Sequence, residues 1–167
     1  MDLYIKHDIT DLTVYEVAES FKNYKRGEDI NIYIDSLGGY IDSAQLIAEM
    51  LVEARNAGSK IVCRNIGDVC SAATIIWLVG NEKKFDMAKG EFLIHQPYVD
   101  NVSGNSDELL TAVIDLTKTE DQLADLYSVM SGKDKEEILA RMKQEVPMTW
   151  KELFEYKFAN EVETDVL

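Results

Sequence analysis

The chain has 167 residues, enough for one domain (1–167) with a continuous core and too few for two ordinary ones. Hydrophobic residues make up 46% of it, which excludes a mostly disordered polymer. Its 17 Lys and Arg against 31 Asp and Glu leave a formal charge of -14 spread along the chain, so neither nucleic acid nor an anionic membrane is expected as a partner.

The start, MDLYIKHDIT, turns polar within a few residues, unlike a secretory leader or a membrane span, and a cytoplasmic location is expected. Leu3, Tyr4 and Ile5 read as a short strand. In DLTVYEVAESFKNYKRG, Val14, Val17, Phe21 and Tyr24 recur at helical spacing, with Thr13 and Glu16 as a capping box. INIYIDS, residues 30–36, alternates apolar and polar positions and predicts a strand ending in Leu37-Gly38-Gly39. Ala44, Ile47, Ala48 and Leu51 then mark one face of a helix that stops near Gly58.

KIVCR begins the next strand, and Gly67 is expected to turn the chain into a buried helix over residues 72–79. Cys63 and Cys70 have no second CxxC pair and only two histidines for company, so no metal or other cofactor is expected and both thiols are expected free. Strands over 84–87 and 91–94 follow, the second delivering His95-Gln96-Pro97. From Ser106 an apolar face including Leu109, Val113, Leu116, Leu123 and Tyr127 runs through roughly six turns to Ser131-Gly132, too long for an ordinary small-domain helix and suited to packing on another copy. DKEEILARMKQ, with Asp134 and Glu137 as a capping pair, and TWKELFEYKF predict two more helices. The repeated crossover pattern is an α/β class, a parallel sheet with helical cover.

Three features converge on the ends of these elements. Gly38-Gly39 closes one strand, Ser71 in GDVCSAAT opens the apolar helix, and His95 ends a later strand. Acyl transfer needs a hydroxyl, an imidazole to take its proton, an acid to orient the imidazole, and two backbone N–H groups for the oxyanion. Ala72 and Gly39 are the candidate donors. Each residue also has a plain structural role: Ser71 as helix cap, the glycines as a turn, His95 as a hydrogen-bonded ring at a strand end.

INIYIDSLGGYIDSAQLIAEML, GDVCSAAT and EFLIHQP, in this order and spacing, resemble the glycine turn, nucleophile segment and histidine strand of the Clp protease proteolytic subunit family (peptidase family S14). The closer likeness is to shortened phage and prophage head-maturation members. The resemblance implies a Clp protease/crotonase-like α/β fold of β-β-α crossover units with residues 106–130 as a handle helix. It implies a serine endopeptidase with Ser71 as nucleophile, His95 as base and Glu145, in KQEVPMTWKELFEY, as acid, Asp100 being the competing acid. Gly39 and Ala72 fall on the oxyanion positions, and Gly38, Tyr40, Ile41, Gln96 and Pro97 on substrate-binding ones. Implied partners are protein or peptide substrates, such as capsid or scaffolding proteins, and further copies of the chain in stacked rings, heptameric by preference. Because the likeness begins near Leu3, no stable AAA+ unfoldase partner is expected. Leu37, Cys70 and Lys157 depart from the family pattern; Lys157 falls where a glycine often follows the final helix. The alternatives are an inactive Clp-like assembly module and a crotonase-like acyl-thioester enzyme.

Overall fold

The computed structural model describes residues 1–164, which form two compact units, Met1–Leu93 with the segment from Pro147 onward, and Ile94–Val146. The first unit carries one sheet. Its strands are β1 (Asp2–Lys6), β2 (Ile30–Ser36), β3 (Ile61–Cys70), β4 (Glu82–Asp86), β5 (Phe92–Leu93) and β6 (Glu161–Glu163), and every pairing is parallel. The order is β1-β2-β3-β4-β6, with β5 pairing the far end of β3. Helices α1 (Asp11–Phe21), α2 (Ile41–Asn56), α3 (Ala73–Leu78) and the later Trp150–Glu155 helix belong to this unit. It is the expected α/β crossover architecture.

β2 runs over the predicted residues because its alternation is strict: Ile30, Ile32 and Ile34 are fully buried while Asn31 and Tyr33 are only partly covered. β3 is longer than predicted. Gly67 does not turn the chain; β3 runs through it, and a step of two positions along β2, from Ile34 to Ser36, is matched by a step of four along β3, from Asn65 to Val69. A Cβ there would meet the Asp35 carboxylate, so a larger residue would have to displace that side chain. Buried Asn65 holds the bulge, its side-chain amide donating to Gly67 O at 3.1 Å and to Asp86 O at 2.9 Å while its oxygen accepts from Asp86 N at 2.7 Å. Helix α3 is accordingly shorter than the predicted 72–79. It is buried on every side, with Trp77 edge-on to Phe85 and Phe92 and its indole N–H donating to Phe158 O at 2.6 Å.

Helix α1 starts one turn before the expected box. Thr10 is its N-cap, and its N–H donates to Thr13 Oγ1 at 3.1 Å, so the box joins Thr10 to Thr13 and not Thr13 to Glu16. The three-residue edge strand β6 has too short a pattern to read from sequence.

The second unit holds α4 (Ser106–Ser131) and α5 (Lys135–Met142); the Trp150–Glu155 helix is α6. Asn105 caps α4, accepting from Asp107 N and Glu108 N. Asp134 is the N-cap of α5, but its side chain makes no capping bond; Glu137 instead pairs with Lys133 at 3.0 Å. Lys135, at the start of α5, reaches Asp121 and Asp125 on α4 at 2.6 and 2.8 Å. No helix among the described residues is long and apolar enough to cross a membrane.

Candidate active site

At the C-terminal edge of the sheet in the first unit, β2, β3 and β5 end together. Ser71 follows β3 directly, and its N–H donates to Leu93 O, the last residue of β5, at 2.8 Å. Ser71 lies in the left-handed region at φ 55, which costs a non-glycine residue about 1–2 kcal/mol. Backbone strain of this kind collects at functional sites. The serine does not use its side chain as a cap: the N-cap of α3 is Ala72, with no side-chain capping bond, and it is the Ser71 carbonyl that accepts from Thr74 N at 3.0 Å and Thr74 Oγ1 at 2.7 Å. Within its unit the Ser71 hydroxyl is left without a hydrogen bond.

The glycine turn presses against this residue. A Cβ on Gly38 would lie 2.5 Å from Ser71 Cβ and 3.0 Å from Ala72 N, and Gly38 also has φ 110. No other residue type fits that approach. The turn is pinned from behind by Ile9, whose N–H donates to Gly38 O at 2.7 Å and whose carbonyl accepts from Tyr40 N at 2.8 Å, and by the Ser36 hydroxyl, which accepts from Gly38 N at 3.1 Å. A Cβ on Gly39 would meet the Ile9 backbone. Among the described residues the N–H groups of Gly39 and Ala72 have no acceptor, so both remain available. Tyr40 is exposed and Ile41 opens α2. Leu37, where the family pattern has proline, is an exposed side chain next to the turn.

The residues just before Ser71 have structural uses. Asp68 Oδ1 accepts from Glu91 N at 2.8 Å, and Asp68 N donates to Asp35 Oδ1 at 3.2 Å, tying β3 to both flanking segments. Cys70 is buried, and burial first, then the charges of Asp68 and Glu91, pushes its thiol up to about 12. It is protonated at neutral pH and is a poor rival to the adjacent serine.

The remaining candidates lie in the second unit. The His95 ring is half-buried and faces Tyr98, centroids 5.9 Å apart. Glu145 is exposed with φ 51, and it lines a cavity together with Gln96, Pro97, Tyr98, Leu116 and Glu120. Neither Glu145 nor exposed Asp100 is hydrogen-bonded to His95 within that unit. Sequence reading missed Glu120 and Tyr98: a glutamate on a charged helix looks like part of a solvated face until the cavity is seen.

A family model described as Clp protease matches residues 5–165. Among curated relatives, the ATP-dependent Clp protease proteolytic subunit 2 of Treponema denticola is 29% identical over 134 residues, 80% of this chain and 65% of the relative. The ATP-dependent Clp protease proteolytic subunit of Streptococcus mutans is 30% identical over 137 residues, 81% of this chain and 68% of the relative. The matched segments thus span about two thirds of those relatives' lengths. Among solved structures, a ClpP1 mutant from Listeria monocytogenes superposes with a TM-score of 0.81 at 18% identity, covering 98% of this chain and 92% of that one, which establishes the fold. By the family match across nearly its whole length, the chain belongs to the Clp protease family, a family of serine peptidases.

Proposed function

We propose that this chain is a serine endopeptidase in which Ser71 is the nucleophile, His95 the general base and Glu145 the acid that orients it. The observation that carries the reading is the contact between the Gly38-Gly39 turn and Ser71, where a strained serine with a free hydroxyl sits against two unengaged backbone N–H groups. His95 follows Leu93 by two residues in the chain, and Leu93 O is already bonded to Ser71 N–H.

In this mechanism Ser71 Oγ attacks the scissile carbonyl carbon while its proton passes to His95. The carbonyl π pair moves to oxygen, and the N–H groups of Gly39 and Ala72 hold the oxyanion. Collapse breaks the C–N bond, the imidazolium proton goes to the leaving amine, and an acyl-enzyme remains. Water, deprotonated by His95, then attacks the ester and releases the acid and Ser71. An extended substrate adds beside Gly38, Tyr40 and Ile41 as a further strand, and Gln96 and Pro97 are further substrate-binding residues. That mode favours unfolded segments, capsid or scaffolding proteins among them.

The whole of 1–167 acts as one such subunit, with residues 106–130 as the handle joining copies into stacked rings, heptameric by preference. The exposed apolar row Leu109, Leu110, Val113 and Ile114 on α4 supports this role. Hydrolysis of a denatured protein by the wild type, with a loss of about 10⁴-fold in Ser71→Ala and of similar size in His95→Ala, is the expected result. Turnover by Ser71→Ala equal to wild type would refute the assignment.

A further inference from the structure

The second unit contains a cavity of about 330 Å³ whose lining is chemically divided. Pro97, Tyr98 and Leu116 give it an apolar wall, and the carboxylates of Glu120 and Glu145 give it negative charge. Glu120 is half-buried on α4. One of its oxygens accepts from Gln96 Nε2 at 2.6 Å, a neutral donor that positions the carboxylate without neutralising it. Among the described residues no lysine or arginine pairs with Glu120. The lysines nearest Glu120 are engaged elsewhere, Lys118 on the same helix with Asp115 at 3.7 Å and Lys135 with Asp121 and Asp125. A half-covered carboxylate with no counter-ion favours filling its cavity with a cation.

The shape of the lining suits one kind of cation. Lysine and arginine side chains carry an apolar stem and a charged head, matching an apolar wall that leads to a carboxylate. Tyr98 adds an aromatic face for the cation, and the same ring faces His95, so the cavity adjoins the proposed base. We infer that this cavity receives the lysine or arginine side chain of the substrate residue preceding the scissile bond, with Glu120 as its carboxylate partner. This rests on the peptidase reading given above and extends it to substrate choice. The chain's net charge of -14 acts in the same direction by repelling acidic segments.

The test is a matched series of fluorogenic peptides differing only in the residue before the scissile bond, with lysine, arginine, norleucine or glutamate there, together with mapping of cuts in a denatured protein. Lysine and arginine peptides should show kcat/KM about tenfold above norleucine, with glutamate lowest, as expected for a charge-assisted contact. Glu120→Gln should bring the lysine-to-norleucine ratio close to one by slowing the lysine peptide. Two results overturn the inference while the peptidase reading stands: cutting after norleucine as fast as after lysine, or a lysine preference unchanged in Glu120→Gln. Absence of cleavage in every substrate overturns both.

Discussion

The turn around Ser71 and the first half of α4 are built on opposite terms. At the turn, Gly38 leaves no space for a methyl group, Ile9 and Ser36 fix the backbone from behind, and Ser71 holds a conformation that most residues avoid. On α4, Leu110 and Val113 stand 58% and 60% exposed, while Leu123 and Tyr127, farther along the same helix, are 6% and 2% exposed. The contrast separates two kinds of constraint. The proposed chemistry sits where no substitution can be absorbed, and the proposed assembly surface sits where the single chain tolerates nearly any residue.

Gly38→Ala attacks the intolerant region directly. Its methyl must displace Ser71, so a fall in peptide hydrolysis of about 100-fold or more is expected, with a stability loss of about 1–3 kcal/mol from overpacking in chemical denaturation. Unchanged hydrolysis would mean the close approach has no catalytic consequence. On the tolerant side, Leu110→Asp with Val113→Asp should leave the unfolding free energy of the single chain within about 0.5 kcal/mol while shifting light-scattering mass from oligomer to monomer. An unaltered oligomer would remove α4 from the interface.

A smaller effect is expected at the end of α6. Lys157 has φ 55, and Phe158 N donates to Leu153 O at 2.8 Å, the backbone pattern that usually places glycine at this position. Lys157→Gly should therefore raise stability by about 0.5–1 kcal/mol, read as a higher denaturation midpoint, without changing activity.

Much of the frame was readable from periodicity. The strict alternation of INIYIDS is a strong signal because burial imposes it residue by residue, and the helical period of the apolar residues marks α4 even though only its second half is buried in the single chain. Gly67 was misread for a physical reason: it lies within a strand, against the Asp35 side chain of the neighbouring strand, a contact that local sequence does not display. The capping partners of α1 and α5 likewise depend on rotamers that composition leaves open. At the candidate site, the sequence marks Gly38, Gly39 and Ser71 as chemically suited; at the end of α6, Lys157, falling where the family pattern often has glycine, has φ 55. The pressing of Gly38 on Ser71 is a contact between segments far apart in the chain and was not readable. Glu120 stayed hidden because a carboxylate lacking a counter-ion is a property of surroundings.

The most direct test is active-site labelling of the size-fractionated assembly with a fluorophosphonate, read by intact mass and peptide mapping. Cys70 stays protonated at neutral pH because its thiol is pushed up to about 12, so the probe's target should be the neighbouring serine. A single adduct on Ser71 in the wild type, lost in His95→Ala, is the predicted result. Equal labelling in both proteins, or an adduct on another residue, would contradict the account.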